Sequence, residues 1–307
     1  MGCAGGIDAT FTFKYKKKDI KKGQAFKIAV KGLKGGHSGM DIILGRGNSN
    51  KIMFRLLKMA AKKYRAKLVD IDGGSLRNAI PREAFATVVV PQKKTQAFLK
   101  AVKKFEAIVQ SELQTADPDV VILTEETDLP AYVIDAKTQR KLIDAVYGCP
   151  NGVIRMSNDM ENLVETSTNL AIVKSGKNKI EVKALLRSSV ESAKEDLAEM
   201  MTSIFTLAGA KCKFDGAYPG WKPNPKSEIL DTMQKIYKDK WGKIPEIKAI
   251  HAGLECGLLG AVYPNWDMIS FGPTIRSPHS PDEKVNIATV AKFWDYLVAS
   301  LANTPKK

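Results

Sequence analysis

The sequence predicts an α/β protein in which a domain of two similar α+β halves, each of βαββαβ type, precedes a segment resembling the second half of another α/β domain. Three observations carry this reading. From Phe26 onward the hydrophobic spacing alternates between strand-like and helical periods. The segment after Pro130 nearly repeats the same succession. Residues 218–225 (Tyr-Pro-Gly-Trp-Lys-Pro-Asn-Pro) then concentrate Pro and Gly, which fix turns and break both periods, so a domain boundary falls there.

In the first half, Phe26 to Val30 reads as a strand. Ile52, Leu56, Met59 and Ala60 follow at helical spacing behind Asn50. Leu68 to Ile71 and the β-branched run Ala84 to Val90 are strands, Phe98, Val102, Phe105 and Val109 mark a second helix, and Val120 to Leu123 closes the unit. The second half offers a helix around Leu142 and Val146, strands at Leu163 to Val173 and Ile180 to Leu186, a helix through Leu197, Met201, Ile204 and Leu207, and a strand at Lys211 to Phe214. Beyond the boundary come a helix carrying Ile229, Met233, Ile236 and Tyr237, then Ile250, a glycine-punctuated loop, a strand at Met268 to Ser270 and a last helix from about Ile287 to Leu301. This final segment reads as half of an α/β domain whose other half lies elsewhere.

Composition narrows the function classes. The longest apolar runs fall far short of the roughly 20 residues a membrane-spanning helix needs. The start, Met1 to Gly6, has no basic stretch leading into an apolar one, and Gly6 stands where a myristoylation signal wants Ser or Thr, so cytoplasmic residence is expected. The 4 cysteines stand far apart, which implies neither a disulfide framework nor a cysteine zinc site. A net charge of +15 raises nucleic acid as a partner, but the lysines are spread along the chain without interleaved aromatics or a nucleic-acid motif. A solvated basic surface is the expectation, with neither nucleic acid nor membrane as a partner.

The chain has 3 histidines, all in loops marked by Gly or Pro: His37 in Gly35-Gly36-His37-Ser38-Gly39, His251 in His251-Ala252-Gly253-Leu254-Glu255-Cys256-Gly257, and His279 in Pro278-His279-Ser280-Pro281-Asp282-Glu283. Loop placement at element ends favours function over packing. His279 is a candidate metal ligand with Asp282 or Glu283 behind it, yet one histidine makes no site, because zinc takes three or four ligands. No His-Glu-x-x-His or His-x-Asp motif supplies the rest, the Gly-His-Ser-Gly run is not a nucleophile elbow, and Gly45-Arg46-Gly47-Asn48 has the spacing of neither nucleotide fingerprint. The acidic run Glu125 to Asp128 reads as a solvated strand end.

Taken together, Gly32 to Ile42 with Gly45 to Asn48, Gly73 to Ala84, Val164 to Ala171, Leu186 to Val190, His251 to Gly257, and Ile269 to Pro273 through Pro278 to Val285 resemble the bacterial aminoacyl-histidine dipeptidases, in the di-zinc peptidase family that includes carnosinases. The resemblance spans nearly the whole chain. It implies a lid domain over residues 9–216, a remnant of the catalytic domain at 1–8, and the C-terminal part of that domain at 217–307. It implies that His279 ligates zinc, that His37, Asn78 and Arg187 contact substrate from the lid, with His37 at the oxyanion, and that Gly253 to Gly257 line the substrate's C-terminal side. It also implies two zinc ions per complete site, a dipeptide substrate with C-terminal histidine, and a homodimer or a missing N-terminal half as partner. The family's His-x-Asp motif, bridging Asp and Glu pair would lie before Gly2. Without them the expectation is a chain inactive alone, the alternative being a non-catalytic lid or dimerisation module of a truncated peptidase.

Overall fold

In the computed structural model, which describes residues 1–276 and 283–304, the first strand begins well before the alternation noted at Phe26. β1 (Gly5–Lys14) buries Ala9, Phe11 and Phe13 on one face and turns Asp8, Thr10 and Thr12 to the other. The short β2 (Lys17–Asp19), β3 (Gln24–Lys31) and the two-residue β4 (Gly36–His37) follow, and a 3-10 turn at Ile42–Leu44 leads to α1 (Ser49–Tyr64). The cap of α1 is Asn48, whose side chain accepts from Lys51 N at 3.1 Å. Asn50, expected ahead of the helix, lies inside it.

Then come β5 (Lys67–Gly73), β6 (Ala79–Ile80), β7 (Ala84–Val90), α2 (Thr95–Leu113), β8 (Val121–Thr127), β9 (Tyr132–Ile134) and α3 (Ala136–Gly148), capped by Asp135 on Thr138 N at 3.0 Å. β10 (Gly152–Met156), β11 (Val164–Ser175), β12 (Lys179–Ser188), α4 (Glu191–Leu207) and β13 (Lys211–Tyr218) complete the domain.

One antiparallel sheet runs in the order β13-β1-β12-β11-β5-β7-β3-β8, with β10 added beside β11. The order explains the near-repeat in the sequence. The first half is β3-α1-β5-β7-α2-β8. The second is β1-α3-β11-β12-α4-β13, so its first strand is β1 and the whole first half is inserted between β1 and α3. Read from either end of the sheet, the strands occur in equivalent order, and the halves meet where Val173 and Lys174 of β11 pair with Gly73 and Asp72 of β5. The expected boundary at residue 9 therefore falls inside a strand: β1 starts at Gly5, and its pairing with β12 and β13 places residues 5–8 in this domain.

α1 to α4 cover one face of the sheet and share one core with it, from Phe26, Phe54 and Phe98 in the first half to Phe11 and Phe205, whose rings stack at 3.9 Å. Large aromatic burial of this kind dominates core energetics.

The C-terminal segment is built differently. α5 (Glu228–Trp241), capped by Ser227 and ended by Gly242 at φ 70, packs on α7 (Ile287–Ala302), where Tyr296 donates to Met233 O at 2.8 Å. Between them lie α6 (Glu255–Val262) and the paired two-residue strands β14 (Ile275–Arg276) and β15 (Lys284–Val285). The strand expected at 268–270 is absent, and the expected glycine loop closes into α6 from Glu255 onward. Residues 2–4 are tied here rather than to the sheet, through Cys3 N to Trp221 O at 2.8 Å and Ile250 N to Gly2 O at 3.1 Å.

α7 leaves Ile287, Val290, Trp294, Val298 and Leu301 exposed, and α6 leaves Leu258, Leu259 and Val262 exposed. Contiguous apolar surface of this kind marks an interface. The large core lies in the first domain, so brief protease treatment is expected to leave a resistant fragment of about residues 5–218 and to cut within 218–225. A resistant core that retains 230–300 would contradict this.

Candidate functional site

The register across four strands sets the site. Tyr218 on β13 faces Gly6 on β1, Gly6 faces Arg187 on β12, and Arg187 faces Ser167 on β11. With a period of two, all four lie on the sheet face away from the helices. Gly6 leaves the space the row requires: a Cβ there would come within 2.5 Å of the Tyr218 hydroxyl. Across this gap Arg187 Nη1 donates to Tyr218 Oη at 2.7 Å.

Arg187 is 4% exposed, its Nε has no partner, and it forms no ion pair among the described residues. A buried guanidinium without a counter-ion is costly, and the cost is recovered when an anion arrives.

His251, from the loop that joins α5 to α6, stands over the same row, with Nε2 and Ser167 Oγ 2.7 Å apart. Burial pushes its pKa down to about 3, and the Arg187 cation adds to the effect. It is therefore neutral in the folded protein and protonated near pH 6.5 in the unfolded chain. Folding stability due to this group is present above that pH and falls by about 1.4 kcal/mol per pH unit as pH drops toward 3. The variant His251→Gln is expected to flatten the decline in Tm between pH 6.5 and 4; an unchanged slope would remove His251 as its cause.

His37 lies at the end of β4, in a turn that fixes its ring. Gly39 N and Met40 N both donate to Nδ1 at 3.1 Å, so in the neutral ring the proton sits on Nε2. Burial and the Arg187 charge both lower its pKa, with Asp41 opposing them, which favours the neutral ring. The turn rests directly on the C-terminal segment: a Cβ on Gly39 would come within 2.0 Å of the His251 carbonyl oxygen. His37, Arg187 and His251 thus share one site, with Nε2–H of His37 as a free donor and Arg187 as the cation.

Asn78, exposed in the loop before β6, lies beside the same turn, its carbonyl accepting from Ser38 N at 2.8 Å. Gly253 borders the row, because a Cβ there would sit 3.0 Å from the Tyr218 ring. Gly257 lies within α6, where a Cβ would meet the carbonyl oxygen of Pro219, the residue after Tyr218, at 2.6 Å. His279 lies outside the described residues. Ser167 and Tyr218 carry no signal in the sequence, since only strand register aligns them, whereas His251 is one of the three loop histidines and joins them from the α5–α6 loop.

Among the described residues no three His, Cys, Asp or Glu side chains converge to hold a metal ion. A zinc centre needs at least three protein ligands, so the described residues by themselves do not form one.

Comparison with known proteins gives a consistent picture. The description "Peptidase dimerisation domain" matches residues 28–117, which covers most of the first half. The chain is 41% identical to the cytosol non-specific dipeptidase of Escherichia coli (strain K12) over 308 aligned positions, covering 100% of this chain and 64% of that protein. The crystal structure of aminoacylhistidine dipeptidase from Vibrio alginolyticus superposes with a TM-score of 0.95 at 46% identity, covering 100% of this chain and 63% of that one. The chain therefore spans somewhat less than two thirds of the length of either relative. Over its whole length this chain is therefore similar in sequence and fold to these dipeptidases.

Proposed function

We propose that this chain is the lid and C-terminal portion of a cytoplasmic, zinc-dependent dipeptidase acting on dipeptides with a C-terminal histidine. The observation that carries the reading is the uncompensated, buried Arg187 held in one site with the Nε2–H of His37. A free dipeptide brings a carboxylate and a scissile carbonyl a few ångströms apart. Arg187 would take the carboxylate through its fork, and His37 would donate to the oxygen of that carbonyl as negative charge develops on it. Asn78 and Gly253 would border the bound dipeptide. The relatives' names support peptide hydrolysis but differ on breadth, one being non-specific and the other aminoacylhistidine-directed. The match to a dimerisation domain supports a homodimer.

Zinc belongs to this proposal as a cofactor of the complete enzyme, with His279 as the one ligand given by this chain. In equilibrium dialysis the chain alone is expected to hold less than one tightly bound zinc. Two per chain would mean a ligand set that the reading lacks.

The complete, zinc-loaded protein should hydrolyse alanyl-histidine and should lose most of that activity toward alanyl-histidine amide, which has no carboxylate for Arg187. Failure to cleave any dipeptide would overturn the reading. For the chain alone the second reading is a non-catalytic lid or dimerisation module, since no three His, Cys, Asp or Glu side chains converge among the described residues.

A further inference from the structure

We propose that Arg77 keeps the Arg187 site open by holding the Asp8 carboxylate away from it. The inference rests on the reading above in which Arg187 receives a substrate carboxylate. Asp8 is two residues from Gly6 on the same face of β1, and Gly6 is the register partner of Arg187. Such diagonal neighbours stand about 7–8 Å apart at the backbone, within reach of an arginine and a carboxylate that turn toward each other. An internal carboxylate beside an unpaired guanidinium would act as a built-in competitor, present at a high effective concentration that no free substrate matches.

Arg77 removes that competitor. Its side chain comes from the loop between β5 and β6, in the first half, and crosses onto β1 and β12, in the second. Nε lies 3.2 Å from Asp8 Oδ2, Nη1 donates to Ala9 O at 2.8 Å and to Ala184 O at 3.5 Å, and Nη2 donates to Thr10 Oγ1 at 2.7 Å. The backbone of this loop is pinned in turn by Asn169, whose Nδ2 donates to Arg77 O at 3.1 Å and Ala79 O at 2.8 Å. With every nitrogen of the Arg77 guanidinium engaged, the arginine cannot follow Asp8 toward Arg187. Asp8 remains paired on its own side of the face, and Arg187 retains its free Nε. Burial, with Asp215 adding to it, raises the Asp8 pKa above the usual carboxylate value, and of the two cations that oppose this Arg77 has the larger effect and Arg187 the smaller.

A purely structural role for Arg77 would fasten the Asn78 loop and nothing more. The two roles separate in a double-mutant experiment on the chain, read by the 15N-resolved Nε–Hε resonance of Arg187. Without ligand, Arg77→Ala is expected to shift this resonance as Asp8 swings onto Arg187, and adding Asp8→Asn is expected to return it. With alanyl-histidine as the probe, Arg77→Ala should weaken the apparent Kd by ~10-fold, the double variant should recover to within about 3-fold of wild type, and Asp8→Asn alone should bind at least as well as wild type. Arg77→Lys, which keeps a cation beside Asp8, guards against loss of fold and should stay close to wild type. An Arg187 resonance unmoved by Arg77→Ala, or moved equally whether Asp8 is present or not, overturns the proposal. If the ligand-free arm behaves as expected while alanyl-histidine leaves the Arg187 resonance of the wild-type chain untouched, the carboxylate reading of Arg187 fails and the Arg77 device stands.

Discussion

On the dipeptidase reading proposed above, His37→Ala in the complete protein is expected to lower kcat by ~10² to 10³ while KM and zinc content stay close to wild type. The expectation follows from the way the ring is held. Two backbone N–H groups saturate Nδ1, so the tautomer is fixed by the turn and Nε2–H is the only donor the ring can offer. Burial and the Arg187 charge lower its pKa and so favour the neutral imidazole. Such a donor gains little from a ground-state carbonyl and much from the charged oxygen of the tetrahedral intermediate, and a contact made mainly in the transition state appears in kcat. His37→Gln keeps an N–H of similar reach and should recover part of the loss. A variant that raised KM with kcat intact would assign His37 to substrate binding instead.

Most of the first domain was legible in the sequence because its elements carry clean periods. The run Ala84 to Val90 and the helical spacing of Phe98, Val102, Phe105 and Val109 correspond to β7 and α2. The near-repeat after Pro130 was visible too, but its first strand was not assigned, since β1 lies before the inserted half and more than a hundred residues from the helix that follows it in the fold. Hydrophobic periodicity reports which residues share a face and says nothing of which distant strand completes a unit.

The same limit applied at the site. His37 and Arg187 stood out by resemblance, and they do converge. Ser167, Tyr218 and Asp8 gave no signal, because their part depends on a register of four strands drawn from three separate stretches of chain. The C-terminal segment was the least legible. Its Leu254 to Val262 run, punctuated by Gly257 and Gly260, reads as loop and forms α6, an apolar helix with little packed on it among the described residues. Local rules fail where an element is completed by contacts from elsewhere.

Arg187 should show opposite effects on binding and on stability. On the same reading, Arg187→Met in the complete protein is expected to raise KM for a dipeptide by ~10², because removing one partner of a buried, hydrogen-bonded charge pair costs about 2–5 kcal/mol and methionine fills the volume without a donor. The effect on kcat should be smaller, since the carboxylate is bound alike in ground and transition states. Without substrate the balance reverses. Arg187 is 4% exposed, has one hydrogen bond to Tyr218 Oη and no ion pair among the described residues, so the unliganded fold carries an uncompensated charge. Replacing such a charge with an apolar side chain of similar length is often neutral or stabilising, by about 1–4 kcal/mol. Thermal melts of Arg187→Met and wild type without ligand should therefore give an equal or higher Tm for the variant, and a dipeptide should raise the Tm of the wild type alone. Arg187→Lys keeps the charge but loses the fork, and its KM should fall between the two. A variant that melted several degrees lower and bound dipeptide normally would mean that Arg187 holds the strands together through Tyr218 and does not receive the carboxylate.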